Sequence, residues 1–121
     1  MEMGEDGLLG RTKRFGLRVI KLCESLPNTP TARVIRDQLL RSGTSVGANY
    51  RAACRAKSPA DFISKMGTVE EETDESLYWM EMLIEAGIVK KTVLEDLMKE
   101  GNEILAMTVS SINTARNGKR K

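Results

Sequence analysis

The 121 residues suffice for one hydrophobic core, and 40% hydrophobic with 30% charged residues is an ordinary balance for a soluble protein. Aromatic residues are few, while Leu, Ala, Met, Glu, Lys and Arg abound; this favours helix over sheet and predicts an all-α protein. The net charge of +2 conceals a segregation: residues 30–57 carry six cations and one acid, residues 58–87 eight acids and one lysine, and residues 116–121 four cations and no acid.

Residues 1–9 hold three acids and no helical periodicity, and read as an arm with no signal peptide. With Cys23 and Cys54 too far apart for a metal or redox motif, reduced thiols and a cytoplasmic location are expected. No apolar run approaches the roughly 20 residues of a membrane span. Helix 1 is expected from Gly10 to Ser25, burying Phe15, Val19, Leu22 and Leu26 and exposing its cations. After Pro27 and Asn28, Thr29 is placed as the cap and Pro30 as the first residue of helix 2, which is expected to run to Lys57. Its positions Ile35, Leu39, Ser42, Val46, Asn49, Ala53 and Ala56 alternate steps of four and three, the seam of 3-4 helix packing, and a kink is anticipated at Ser42 to Ser45.

Ser58, Pro59 and Asp61 form a capping-box signal for helix 3, whose stripe Phe62, Met66, Val69, Thr73, Ser76, Met80 and Leu83 leads to Gly87 as a left-handed C-terminal glycine. A second box at Thr92 and Glu95 opens helix 4, with Leu94, Leu97, Met98, Ile104, Leu105 and Ile112 on its apolar face to about Ala115 and a basic tail beyond. Short connections make sequence neighbours antiparallel, so the expected fold is a left-handed, up-and-down, antiparallel four-helix bundle, one domain over residues 1–121.

Little chemistry is evident. Glu70, Glu71, Glu72, Asp74 and Glu75 invite comparison with carboxylate di-iron bundles, but those sites also use Glu-x-x-His pairs and this chain has no histidine. Neither a phosphate-binding glycine loop, nor zinc-ligand spacing, nor a Ser-His or Cys-His arrangement occurs, so no enzyme, cofactor or metal is expected. The acids are instead expected to meet helix 2, with Glu71, Asp74 or Glu75 near Arg51 or Arg55, and Asn49 is expected to be a buried amide that fixes register. Tyr78 and Trp79, with Tyr50, read as packing or interface residues.

The run Ser45 to Ala56 (SVGANYRAACRA), followed by Asp61, Phe62, Lys65 and Glu71 to Leu83 (EETDESLYWMEML), resembles the family of 23S rRNA intervening-sequence proteins over roughly Phe15 to Leu105. Many relatives read Asn-Ile-Ala-Glu-Gly where this chain has Asn49, Tyr50, Arg51, Ala52 and Ala53, so no role of that glutamate transfers. The resemblance implies an antiparallel four-helix bundle assembling as a ring, commonly a homopentamer. It also implies kinship with basic accessory proteins of diversity-generating retroelements, thought to bind nucleic acid. Two functions are therefore expected: a non-enzymatic ring binding structured RNA or DNA, or a structural or protein-binding oligomer. If nucleic acid binds, the expected residues are Arg11, Lys13, Arg14 and Arg18 of helix 1 with Arg116, Lys119, Arg120 and Lys121, which have the fewest acidic neighbours in sequence.

Overall fold

A computed structural model describes residues 7–119, the side chain of Lys119 excepted. Four helices follow in chain order: α1 (Leu8–Glu24), α2 (Pro30–Cys54), α3 (Pro59–Glu85) and α4 (Lys91–Lys119), with no strand among the described residues. Local chemistry sets several of these boundaries. The Thr29 hydroxyl accepts from the Ala32 N–H at 3.2 Å, and Pro30 takes the first position, where a missing N–H costs nothing. Ser58 caps α3 by accepting from the Asp61 N–H at 3.1 Å. The Asp61 carboxylate accepts from the Lys57 N–H at 3.0 Å, one residue upstream of the bond a full capping box makes. At the end of α3, Gly87 has φ 74°, while Ile88 N–H donates to Leu83 O at 2.9 Å and Gly87 N–H to Ile84 O at 3.0 Å, a Schellman closure.

Four boundaries differ from the sequence reading. α1 begins at Leu8, because Leu8 is buried in the core; its cap, Gly7, offers no side-chain bond and so gives no signal in sequence. α2 stops at Cys54 rather than Lys57: Arg55 and Ala56 donate to Ala52 and Ala53 carbonyls in tightened turns, freeing Ser58 to adopt the extended cap conformation. α4 starts at Lys91, so Thr92 lies inside the helix and is not its cap. The residues expected to form a tail, Arg116 to Lys119, continue α4, with Gly118 tolerated in the last turn. Residues 1–6 of the expected arm, with Arg120 and Lys121, lie outside the described residues.

Helices adjacent in sequence pack side by side, α1 meets α4 more sparsely, and the diagonal pairs have no close backbone approach. Contacts run in opposite chain directions: Gly47 sits on Thr12, Gly43 on Val19, and the Cys23 thiol on the Arg36 carbonyl. The small residues of α2 thus draw it against α1. A Cβ at Gly43 would lie 2.7 Å from Val19 Cγ1, and one at Gly47 3.2 Å from the Thr12 carbonyl oxygen. The expected stripes of α1 and α3 are buried, Leu26 and Phe62 being only partly covered. Between α2 and α3 the hydroxyls of Ser42 and Ser76 are 2.9 Å apart, and each also reaches a carbonyl of its own helix.

α2 runs unbroken through Ser42 to Ser45, where Ser42, Thr44 and Ser45 hydroxyls bond back to Leu39, Leu40 and Arg41 carbonyls. Tyr50, expected at the surface, is fully buried, its hydroxyl bonded to the Cys54 thiol one turn on. Burial and that bond raise the Tyr50 pKa above the ordinary phenol value. Burial likewise pushes the Cys23 thiol up to about 11, so it stays protonated. No helix among the described residues is long and apolar enough to cross a membrane.

Candidate nucleic-acid interface

Cations already committed inside the fold are poor phosphate ligands, so the arginines sort by their partners. Arg11 is committed. Its Nε and Nη2 donate to both carboxylate oxygens of Glu100 at 2.9 and 2.7 Å, Nη2 also reaches Glu103 at 2.8 Å, and Nη1 lies 3.2 Å from Met107 Sδ. This planar fork clamps α1 to α4 where the two helices meet least. Arg11 lowers the Glu100 carboxyl below its usual range, with Arg18 and Arg14 adding to the field. The positions 11, 14 and 18 repeat on one face of α1 and so look toward α4. Of the helix 1 residues expected to bind nucleic acid, Arg11 is therefore engaged within the fold, whereas Lys13, Arg14 and Arg18 are exposed.

The partner of the α3 acids is likewise not the expected one. Arg41 bonds Glu72 at 3.3 Å and also Glu75, and Glu75 accepts from Trp79 Nε1 at 3.0 Å. Trp79 first, and Arg41 after it, lower the Glu75 pKa. Arg51 and Arg55 are exposed and have no ion pair among the described residues, as are Glu71 and Asp74. The Ser42–Ser76 contact puts Arg51 level with Gly67, about one turn short of Glu71. Asn49 is half-buried and donates to the Ser45 carbonyl at 2.8 Å, within its own helix. The polar contact that bridges α2 and α3 in the core is the serine pair.

These placements reveal a basic end of the bundle. Thr12 against Gly47 sets Leu8 level with Arg51, and Gly101 against Leu77 sets Arg116 level with Phe62, fifteen residues along each helix (116 less 101, 77 less 62). The start of α1, the α2–α3 turn and the last turns of α4 therefore share one end, bearing Lys13, Arg51, Arg55, Lys57, Lys65 and Arg116. No acid occurs in residues 38–60 or beyond Glu103, and Asp61 is held by Lys65 at 2.7 Å, which lowers its pKa ahead of the Lys57 amide. Arg51 occupies the last turn of α2, where the partial negative charge of the carbonyls favours a cation. The sequence signal for this end was available: two acid-free stretches that a bundle necessarily brings together. Arg116, expected to bind nucleic acid from a C-terminal tail, lies instead in α4; Lys119 closes that helix, and Arg120 and Lys121 lie outside the described residues.

The turn itself leaves a shallow depression between Ala53, Cys54, Lys57, Pro59 and Phe62. Cys54 is half-buried, and neither it nor Cys23 forms a disulfide. Among the described residues no three His, Cys, Asp or Glu side chains are grouped to hold a metal ion.

Bundle, seam and basic end define an all-helical protein, with no strand among the described residues. The chain belongs to the 23S rRNA-intervening sequence protein family, whose model matches residues 8–110. It is similar to a protein of unknown function from the S23 ribosomal protein family of Bacteroides thetaiotaomicron VPI-5482, known from a 1.70 Å crystal structure. The two share 35% sequence identity with a TM-score of 0.83, over 88% of this chain and 98% of the other. No curated protein matches the chain.

Proposed function

We propose that the protein is a non-enzymatic, cytoplasmic nucleic-acid-binding protein that holds the phosphates of structured RNA or DNA on the basic end of its bundle. The carrying observation is the gathering of Arg51, Arg55, Lys57 and Arg116 where the only described acid, Asp61, is already paired. A family described by 23S rRNA intervening sequences supports a nucleic-acid setting. Four phosphate contacts imply a log-log salt slope of roughly −2.8 to −3.6, a loss of roughly 50- to 150-fold in affinity between about 50 and 200 mM salt. Fluorescence anisotropy with structured RNA and duplex DNA tests this. Reversing Arg51 and Arg55 to Glu should abolish binding, while reversing Arg33 and Arg36 at the opposite end should spare it. Absent binding at 50 mM, or equal loss from both pairs, refutes the site.

The protein works as a ring, a homopentamer in this reading. Glu71, Glu75, Tyr78 and Met82 share the outer face of α3, with Tyr78 50% exposed, and Lys13, Leu17 and Lys21 share a face of α1, with Leu17 56% exposed. α1 and α3 are diagonal, with no close backbone approach, and these faces are exposed, so they pair between copies, head to tail. Any cyclic assembly then repeats the basic end on one side of the ring, multiplying the phosphate contacts. Of the aromatic residues expected at that interface, Tyr78 is the exposed one; Trp79 is half-buried on Glu75. Light scattering that gave a monomer at micromolar concentration would refute the ring, and a ring without binding at low salt would favour a structural or protein-binding oligomer.

A further inference from the structure

The α3 stripe Phe62, Met66, Val69, Thr73, Ser76, Met80 and Leu83 is fully buried except at Phe62, which is partly buried against the core and lines the depression beside the α2–α3 turn. Ala53 and Ala56 have no side chain beyond Cβ to fill the space above it. Lys57 lines the depression and Arg55 precedes it by two residues in the same turn. The nearest acid, Asp61, is occupied by the Lys65 ammonium and the Lys57 N–H. An apolar aromatic surface with a cationic rim, open to solvent, has the two features that hold a nucleotide: a face to stack on and charge for its phosphates.

We propose that this depression takes one unpaired nucleotide, its base against the Phe62 ring and its flanking phosphates on Lys57 and Arg55. The inference rests on the nucleic-acid reading above and narrows it. Bases inside a duplex have both faces covered by their neighbours, so a loop, bulge or single-stranded end alone presents a base to Phe62. Sequence preference is slight, because every base has a stacking face.

The test compares a single-stranded oligouridine of about ten nucleotides with a fully paired RNA duplex of equal length, by anisotropy at about 50 mM salt, for the full chain and two variants. Phe62→Leu keeps the apolar volume and removes the ring; Phe62→Tyr keeps the ring. Stacking is worth about 5- to 150-fold in affinity per base. Single-strand affinity should fall at least about fivefold in Phe62→Leu and survive in Phe62→Tyr, with duplex affinity unchanged in both. Unchanged single-strand affinity in Phe62→Leu, or an equal fall for strand and duplex, overturns the inference and leaves the phosphate-binding reading intact. Failure of the unmodified chain to bind either probe overturns both.

Discussion

Replacing Gly43 by alanine separates two opposing effects whose balance is set by the α1–α2 contact. In an open helical position the change gains about 1 kcal/mol, because alanine loses less backbone freedom on folding. At Gly43 the new Cβ would lie 2.7 and 2.8 Å from the two Val19 methyls and 3.0 Å from Val19 Cβ itself. Ordinary carbon contacts begin near 3.4 Å, and a fully buried valine, branched at the atom in question, has no rotamer that relieves all three. The helices must part by roughly half an ångström, loosening Gly47 from the Thr12 backbone as well. Overpacking of this kind costs about 1–3 kcal/mol. We expect Gly43→Ala to lower stability by up to about 2 kcal/mol after the propensity gain, near 4 °C per kcal/mol for a chain of this length. Urea unfolding at one fixed protein concentration measures it, since assembly would otherwise shift the midpoint. In a Val19→Ala background, where the two methyls are gone, the same substitution should become neutral or stabilising. A Gly43→Ala protein more stable than the parent by the full open-helix gain, or an effect unchanged beside Ala at position 19, would show that the close approach of α1 and α2 is misdescribed.

Gly67→Ala is the matched control: nothing lies within 4 Å of the added methyl, so a gain of about 0.5–1 kcal/mol is expected in the same urea experiment. Glu100 supplies part of the acid-side pH dependence, alongside Asp61 and Glu75, whose pKa values are also lowered. The folded pKa of Glu100 is depressed by Arg11, so the stability it contributes is present above the ordinary carboxylate range and is lost as pH falls through the depressed value. Melting curves between about pH 5 and 2.5 should therefore flatten in part in Glu100→Gln, which cannot titrate, and Arg11→Met should remove most of the same dependence.

What the sequence revealed depended on the range of the interaction. Capping at Thr29 and Ser58, the left-handed Gly87 and the four-three stripes are settled within a few residues, and each appears where periodicity and turn chemistry place it. Leu8 and Thr92 were misplaced because burial against the rest of the bundle, rather than a capping side chain, decides where α1 begins, and because the turn after Gly87 is complete before Thr92. Ion-pair partners required more still. Arg41, Arg51 and Arg55 are chemically alike, and only the register fixed by Ser42 and Ser76 brings Arg41 to Glu72 and Glu75. The same limitation reversed the expected roles of two groups. Arg11, assigned to a partner molecule, is held by Glu100 and Glu103, while Arg51 and Arg55, assigned to α3, remain exposed.

That reversal strengthens the argument for a basic end because charge position along each helix, rather than total charge, is what the topology converts into a surface. In α3 the acids begin at Glu70 and continue toward its C-terminus, leaving Asp61 alone in the first two turns. α2 has no acid after Asp37 and α4 none after Glu103. Because neighbouring helices run oppositely, the C-terminal halves of α2 and α4 lie beside the N-terminal halves of α1 and α3, and four acid-poor segments converge. Pairing inside the bundle accounts for Arg11, Arg41 and Lys65, but among the described residues Arg51, Arg55, Lys57 and Arg116 form no ion pair. A solvated end of mixed charge would serve solubility equally well. One-sided charge does more: the close cations repel one another, at a cost screened by salt, and an anion laid across them relieves it.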